Sequence, residues 1–452
     1  MIKNSFKFIF LSLLGLVFFL VPFEIGGESS IMISHIIDFI TENIFNAFIL
    51  FTQISAWIVL LGTIIFLFYT SKNKYVNSVF KASPLNVILR IVGSFLYLMV
   101  INKWFLQTGV GSIIIDPGTG GTMAGEEGLL TTLYITFLVG LLALPLLTHF
   151  GIVEFLGVIL GPVMEKVFKV PGFSTIDAIA SFVGDGTIGI VVTDNQYQRG
   201  YYSRREAYVI STSFSVVGIA FAAAVAQELG FSSIFPIFYG SILVVTLILA
   251  FITARLPWKK FPAAYYQGKE PKTAETPEGK SKFKHAYESA IEQAESSTVG
   301  GALKEAVKNI INIYVSFLPI IMAVGTVSLI IAEYTPFFDI ISAPLFYVYD
   351  WIGFSSEVAS QMAPASLAGF ADMYLPALFI TDVSSEAARF FIGVLAFTQL
   401  VFMSETGMIL IKTKIGLNFW DIVKVFIFRT VISIPILMGI TYGLSLIGVI
   451  SF

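Results

Sequence analysis

The chain has 452 residues, of which 56% are hydrophobic and only 13% are charged, and its mean hydropathy is +0.84. A soluble globular protein carries about 25% charged residues, so this composition excludes a soluble domain and indicates a polytopic membrane protein. The net charge of −3, without a basic run, predicts no nucleic-acid partner. The sequence has no cysteine, which excludes disulfides, a thiol nucleophile and thiolate metal sites. Its 3 histidines lie far apart and show no ligand spacing, so neither a metal site nor a cofactor is predicted.

Apolar runs long enough to cross a membrane occur nine times along the chain. They are Phe6–Phe23, Ile44–Tyr69, Leu85–Leu106, Leu129–Thr148, Ala207–Gln227, Phe235–Ala254, Val307–Ile331, Ala387–Ile411 and Ile422–Ile447. The Lys and Arg clusters all fall on one side of the membrane if the two remaining apolar segments enter and leave by the same face. The positive-inside rule then predicts a cytoplasmic N-terminus and a cytoplasmic polar link over Leu256–Gly301, with an amphipathic helix across Phe283–Ala294.

Those two remaining segments are apolar but interrupted. Ile176–Thr193 is broken at Gly184, Asp185, Gly186 and Thr187, and Val358–Thr381 contains Pro364, Gly369, Asp372 and Pro376. A broken backbone leaves N–H and C=O groups free, which hydrocarbon tolerates only where they line a cavity or bind something. A pair of interrupted segments at corresponding positions is the best sequence indication of a carrier's substrate site.

The two halves of the sequence match at a shift of roughly 180 residues, as internal repeats do. Tyr134 and Phe137-Leu138 recur as Tyr314 and Phe317-Leu318. Three further matches follow in the same order: Gly161-Pro162 recurs as Ala343-Pro344, Gly172-Phe173-Ser174 as Gly353-Phe354-Ser355, and Glu206-Ala207 as Glu386-Ala387. The chain crosses an odd number of times between the two starts, so the halves are predicted to have opposite orientations.

The predicted fold is therefore an all-α polytopic membrane protein with two inverted repeats, re-entrant or broken helices, and a three-helix N-terminal scaffold. The predicted domains are the scaffold helices at 1–108, the first repeat at 129–255, the cytoplasmic linker at 256–301 and the second repeat at 302–452.

Candidate site residues follow from the interruptions. A carboxylate at the bilayer centre costs at least about 2.5 kcal/mol, so Asp185 and Asp372 are predicted to bind a coupling cation, Na⁺ or H⁺, or a cationic part of the substrate. Glu405, toward the cytoplasmic end of its apolar run, is a further candidate for cation coupling. The alternative is that these three are wet, structural or interfacial acids. Polar and glycine residues near the breaks are candidates for binding substrate, although Ser and Thr there also serve as packing or capping groups: Ser181, Gly184, Gly186, Thr187, Ser360, Gln361, Ser366 and Gly369.

An enzyme is not predicted. Tyr349-Asp350 and Gly184-Asp185 resemble the paired motifs of intramembrane aspartyl proteases, but they occur in reversed order and Phe182 replaces a required glycine. The chain also lacks a His-Glu-x-x-His zinc motif and a phosphate-binding P-loop, which excludes the corresponding peptidases and nucleotide-driven pumps.

The stretch Phe173–Thr187 and its second copy resemble the nucleoside-recognition "Gate" domain, and the whole chain resembles the YjiH family of bacterial membrane proteins. The resemblance covers most of the chain from Leu129 onward. Gate domains are related to concentrative nucleoside transporters, so it implies inverted re-entrant hairpins and broken helices. The hairpin pattern Gln-Thr-x-Glu of those transporters is absent, and Gly184-Asp185-Gly186-Thr187 stands at the comparable place.

The resulting expectation is a cation-coupled secondary transporter of a small polar solute: nucleoside-like, an amino acid, a dipeptide or an organic acid. The alternative is a non-transporting membrane component that works with a partner membrane protein. The expected partners are the solute, the lipid bilayer and either further copies of the chain or a second Gate-domain protein. The expected location is a bacterial inner membrane.

Overall fold

A computed structural model describes residues 2–124, 128–172, 174–183, 186–216, 218–269 and 281–452. Within these ranges the chain is almost entirely helical, which confirms the all-α class, and its strands are the short antiparallel pair β1 (Pro22–Ile25) and β2 (Glu28–Ile31). Gly26 and Gly27 form the turn between the strands with φ values of 66° and 90°, because a type I′ turn needs positive φ at both central residues. This hairpin was not predicted. It makes the first helix, α1 (Ile2–Leu20), end before Phe23.

The next helices cover the predicted scaffold and the segment after it. They are α2 (Met32–Phe68), α3 (Lys74–Phe80), α4 (Pro84–Ile101), α5 (Gly109–Ile115) and α6 (Thr122–Ala124), with a π-helical turn at Pro117–Gly121. The start of α4 follows from local chemistry. The Ser83 side chain accepts a hydrogen bond from the backbone N–H of Asn86, and Pro84 occupies a first-turn position where its missing N–H costs nothing.

The first predicted repeat consists of short helices joined by tight breaks. They are α7 (Leu129–Ala143), α8 (Pro145–Thr148), α9 (Ile152–Val163), α10 (Ser174–Val183), α11 (Gly186–Arg199), α12 (Arg204–Ser213), α13 (Ile219–Glu228) and α14 (Phe235–Arg255), with a π-helical turn at Met164–Phe168. The linker contains α15 (Lys282–Ser296), which confirms the amphipathic helix predicted there.

The second predicted repeat also consists of helices joined by breaks. Its helices are α16 (Val299–Asn312), α17 (Leu318–Tyr334), α18 (Phe337–Trp351), α19 (Ser356–Ala368), α20 (Leu375–Ile380), α21 (Glu386–Gln399), α22 (Thr406–Lys412) and α23 (Phe419–Leu446), with a π-helical turn at Ile313–Phe317. The six helices α9 to α14 correspond in order to α18 to α23. The matched pairs Glu206-Ala207 and Glu386-Ala387 both lie in the first turn of equivalent helices, α12 and α21.

Among the described residues, six helical stretches are long and apolar enough to cross a membrane. They are Met32–Phe68, Pro84–Ile101, Gly109–Thr148, Ser232–Arg255, Val299–Tyr334 and Phe419–Leu446, and each contains or largely overlaps one predicted crossing. The prediction that Ala207–Gln227 and Ala387–Ile411 are each one continuous helix is wrong. The first is interrupted between α12 and α13, and the second between α21 and α22, so neither is one helix.

The chain divides into two compact units. The first consists of Met1–Met32, Ala143–Leu303 and Gly369–Phe452, and the second of Ile33–Leu142 and Lys304–Ala368. Each unit thus combines segments that are distant in sequence.

In the second unit, residues that the repeat relates contact each other. The rings of Tyr134 and Tyr314 lie 4.2 Å apart between centroids, and the Tyr314 hydroxyl donates to the Tyr134 carbonyl at 2.6 Å. Phe137 and Phe317 make an edge contact at 6.0 Å. Contact between equivalent residues is what a local two-fold axis between α7 and the π-helical turn Ile313–Phe317 produces.

In the first unit, the linker helix α15 packs against α9. Its buried face is the alanine row Ala286, Ala290 and Ala294, spaced one helical turn apart. At the end of α15, the Lys7 ammonium group donates to the carbonyls of Ala294 and Ser297. A cation there satisfies orphan carbonyls and complements the negative helix end, so α1 and α15 stabilise each other.

Candidate functional site

The second interrupted segment docks against a helix break in the first unit. Residues 369–374 separate α19 from α20, and residues 400–405 separate α21 from α22. The backbone N–H of Met403 donates to the Phe370 carbonyl at 2.8 Å, and that of Ser404 donates to the Ala371 carbonyl at 2.9 Å. Two irregular backbones therefore satisfy each other's polar groups, as buried non-helical segments must.

Asp372 is buried at this contact, with 1% of its surface exposed. One carboxylate oxygen accepts the Tyr374 backbone N–H at 2.8 Å, and the other accepts the Ser404 hydroxyl at 2.6 Å. The predicted acid thus lies beside Ser404-Glu405. Glu405 is half-buried at the N-cap of α22 and provides no side-chain capping bond there. The structure therefore brings Gly369, Asp372 and Glu405 into one region.

The break after α21 contains strained backbone. Leu400 has φ 66° and ψ −36°, a conformation that a branched side chain rarely adopts. The cost is of the order of 1–3 kcal/mol, and such strain persists only where surrounding contacts enforce it. Here the Thr406 hydroxyl donates to the Leu400 carbonyl at 3.0 Å and accepts the Phe402 N–H at 3.2 Å.

A buried arginine joins the two broken helices. Arg429 lies in the middle of α23 with 0% exposure, its Nε donates to the Thr398 carbonyl at 2.6 Å, and its Nη1 donates to the Thr212 carbonyl at 2.9 Å. Thr212 and Thr398 are the penultimate residues of α12 and α21. Each helix C-terminus presents about half a negative charge, so two of them account for a buried guanidinium without a carboxylate.

Gly369 makes the closest approach in this region. A Cβ atom at this position would lie 2.3 Å from Oε1 of Gln399, so a larger residue would push the Gln399 side chain away. The Gln399 amide in turn donates to the Thr430 hydroxyl at 2.9 Å. Gly369 is therefore linked to α23 through one intervening side chain, whereas the rings of Phe370 and Phe426 of α23 contact each other directly.

The first hairpin contains a buried acid that the sequence analysis passed over. Asp177 in α10 accepts the hydroxyl of Tyr202 at 2.6 Å, and both side chains are buried. Ser181, one turn further on, donates to the Asp177 carbonyl at 3.0 Å and faces Gly189 of α11. The predicted residues Gly184 and Asp185 lie outside the described residues. Gly186 begins α11 with Thr187 next to it.

The remaining predicted residues lie in the second unit. Ser360 and Gln361 are exposed on α19, where the Ser360 hydroxyl donates to the Glu357 carbonyl within its own turn at 2.6 Å. Ser366 is buried, donates to the Met362 carbonyl at 2.8 Å and contacts the Tyr349 hydroxyl at 2.6 Å. No group of acidic or histidine side chains suited to a metal ion occurs in the part of the chain that the structure describes.

Arg429 is the clearest residue that the sequence analysis missed. It is a charge inside the apolar run Ile422–Ile447, and a charge within such a run indicates function by default. The breaks after α12 and α21 gave weaker signals. Ser213-Phe214-Ser215 and Ser404-Glu405-Thr406-Gly407 are polar within otherwise apolar runs.

These features define a multi-pass helical membrane protein. The family model described as "Nucleoside recognition" matches residues 130–232, which confirms the resemblance to the Gate domain. The chain belongs to the same family as an uncharacterized protein of Alkalihalophilus pseudofirmus. The two sequences are 36% identical over 443 residues, covering 96% of this chain and 94% of that protein.

Two solved structures show a distant likeness over 98% of each chain. One is a doubly substituted CNTnw in an outward-facing state, with 13% identity and a TM-score of 0.43. The other is CNTnw in an inward-facing substrate-bound state, with 11% identity and a TM-score of 0.45.

Proposed function

We propose that this chain is a secondary carrier that moves a small polar solute across the membrane by alternating access, and that it has no enzymatic activity. The observation that supports this most directly is the pairing of interruptions. The helix pairs α12–α13 and α21–α22 are broken at equivalent places in the two repeats, and both breaks are largely buried. Membrane proteins keep irregular backbone at membrane depth only where it is enclosed by protein or lines a cavity.

In this proposal the solute binds to polar and glycine residues of the two interrupted segments. The family model that matches the first repeat is described as nucleoside recognition, so nucleoside-like solutes are tested first. Amino acids, dipeptides and organic acids are the other classes. In this proposal the first hairpin contributes Ser181, Gly184, Gly186 and Thr187, and the second contributes Ser360, Gln361, Ser366 and Gly369.

A cation, Na⁺ or H⁺, couples to transport at Asp372, and Asp185 and Glu405 are the other candidate coupling acids. A buried carboxylate is costly in a low-dielectric interior unless it is neutralised. Asp372 accepts two hydrogen bonds but contacts no described basic side chain. A bound cation or proton would complete its neutralisation.

The test is Asp372→Asn in the purified full-length protein, with ligand stabilisation and proteoliposome uptake measured with and without Na⁺ and at two pH values. Asn keeps the size and the acceptor for the Tyr374 N–H but removes the charge. We expect the variant to fold and to bind the coupling cation about ten- to a hundredfold more weakly. This factor corresponds to the loss of a charge-assisted contact of about 1.5–3 kcal/mol. Asp339→Asn, at an exposed position on α18, is the matched control and should behave as wild type.

Ser404→Ala tests the same site from the other side, because it removes the donor to Asp372 and leaves the charge. Its cation dependence should shift without disappearing. If Asp372→Asn and Glu405→Gln both kept full cation-dependent transport, the coupling site would lie elsewhere. If the wild type transported nothing alone and always co-purified with a second membrane protein, the chain would be a component of a larger complex.

A further inference from the structure

Arg429 holds a set of donors that the helix ends do not use. Its Nε and Nη1 donate to the carbonyls of Thr398 and Thr212, but its Nη2, with two N–H groups, has no acceptor among the described residues. A fully buried donor without a partner loses its hydration and regains nothing, so native proteins seldom retain one without a reason. The two helix ends therefore account for the burial of Nε and Nη1 but not for the burial of Nη2.

Two serine hydroxyls close in sequence to Arg429 and to its partner Thr212 also lack hydrogen-bond partners among the described residues. Ser433 lies one turn further along α23 on the same face, and Ser213 directly follows Thr212, whose carbonyl is 2.9 Å from Nη1. Both hydroxyls are buried, with 0% exposure, and neither has a hydrogen-bond partner in the described part of the chain. Three donor groups without partners there thus accompany one hydrogen bond, the one between Arg429 of α23 and Thr212 near the end of α12: Nη2 of Arg429 itself, the Ser433 hydroxyl one turn along α23 and the Ser213 hydroxyl next to Thr212.

We propose that Arg429, Ser213 and Ser433 bind a carboxylate group of the transported solute. This inference rests on the proposed carrier function and narrows its substrate to solutes that bear a carboxylate, such as amino acids and organic acids. The site belongs to the break after α12, so a solute bound there would contact the interruption that the carrier mechanism requires to move.

A carboxylate fits these donors better than a neutral acceptor. A hydroxyl donates to an ionised acceptor about twice as strongly as to a neutral one, and the charge of a carboxylate also pairs with the guanidinium. The helix ends lie on the Nε and Nη1 side and compensate the positive charge while the site is closed. Only the Nη2 group of the guanidinium has no acceptor among the described residues, so the carboxylate would bind there.

The experiment measures thermal stabilisation of the purified full-length protein by matched pairs of probes: acetate and acetamide, lactate and lactamide, L-alanine and L-alaninamide, with uridine as a neutral nucleoside. We expect at least one carboxylate to stabilise the protein and its amide to have no effect at the same concentration. Ser433→Ala and Ser213→Ala should each weaken the apparent affinity by about tenfold, because each removes one donor to a charged acceptor.

Ser12→Ala on α1 is the control, since it removes a buried hydroxyl that also has no partner among the described residues. The affinity of this variant for the carboxylate probes should equal that of wild type. Arg429→Lys keeps the charge but not the planar donor edge, and it should abolish the preference for carboxylate over amide. The serine variants leave the bonds from Arg429 to both helix ends intact, so they test the site even if Arg429→Lys fails to fold.

Equal stabilisation by carboxylates and amides in the wild type, or unchanged affinity in both serine variants, would overturn the carboxylate site. Uptake of uridine into proteoliposomes without any effect of carboxylates would overturn it too, and would leave the carrier function standing. Stabilisation by carboxylates with no uptake of any probe would support the carboxylate site and overturn the carrier function.

Discussion

Asp372 and Arg429 are the two charged side chains most deeply buried near the helix breaks, and the fold stabilises them by different means. Asp372 accepts one backbone and one hydroxyl hydrogen bond, whereas Arg429 donates to the carbonyl ends of two helices. Removing either charge therefore has different consequences. Replacing Asp372 by Asn keeps an acceptor for the Tyr374 N–H, but loss of the guanidinium leaves two buried carbonyls without donors.

Glu386 provides a prediction on pH at the same scale. Its carboxylate accepts the backbone N–H of Ser451 at 2.7 Å and the Ser451 hydroxyl at 2.9 Å, and these bonds hold the pKa of Glu386 below its ordinary value of 4.5. A lowered pKa means that folding favours the carboxylate. The stabilisation is therefore fully present above the pKa of the unfolded chain and is lost as the pH falls through the folded value.

We expect Glu386→Gln to lower the unfolding temperature slightly at neutral pH and to converge with wild type in acid. The side chain is only half-buried and solvent screens its charge, so the effect should stay below about 1 kcal/mol. Unfolding temperature measured against pH checks this, with Glu42→Gln on the exposed side of α2 as the control. A difference that persisted unchanged at low pH would show that the carboxylate charge is not responsible.

At the scale of elements, the interrupted helices are the main departure from the hydropathy pattern. Hydropathy averages over a window of about 19 residues, so a break of a few residues disappears when its neighbours are apolar. The breaks after α12 and α21 depend on partners from elsewhere in the chain, namely Arg429 at the carbonyl ends of both helices and the 369–372 segment at the second. They could not be derived from the local sequence.

The crossing of α4 and α17 gives a prediction on packing. A Cβ atom at Gly93 would lie 1.7 Å from the Pro319 carbonyl oxygen, which is backbone and cannot rotate away. Gly93→Ala should therefore force the helices apart and destabilise the protein by at least about 1–3 kcal/mol. Thermal unfolding in detergent measures the change.

The matched control is Gly439→Ala on α23, where a Cβ atom would meet nothing within 4 Å. It should be neutral or stabilising by up to about 1 kcal/mol, because Ala has the higher helix propensity. Equal effects of the two substitutions would mean that the close crossing of α4 and α17 is not a source of stability.

At the scale of the whole molecule, the inverted repeat makes a prediction on topology. The order of helices and the self-contact of Tyr134 with Tyr314 support a repeat, and the odd number of crossings predicts opposite orientations. The sequence has no cysteine, so single substitutions can be labelled without background. We expect Lys284→Cys to react with an impermeant maleimide only from the cytoplasm, and Gly118→Cys only from outside.

Both positions are exposed, so accessibility to the reagent is not limiting. Labelling intact cells and inverted vesicles in parallel gives the side for each. Reaction of both cysteines from the same side would contradict the crossing count, and the predicted cytoplasmic N-terminus would have to be revised with it.

The sequence by itself determined the membrane class, the helical content, the positions of the long apolar helices, the repeat and the second interrupted segment. These features depend on composition and on periodic or glycine- and proline-containing local patterns, which act over a few turns of helix. The linker helix α15 was likewise predictable, since its alanine row repeats at helical spacing.

Only the tertiary structure decided how the site is built. Arg429 is about 30 residues from Thr398 and more than 200 from Thr212, and Asp372 receives its second hydrogen bond from Ser404, 32 residues away. Such pairings depend on which helix ends meet after the chain has packed, and no local pattern encodes them. A buried charge can be recognised in the sequence, but the groups that neutralise it become known only when the fold brings them within hydrogen-bonding distance.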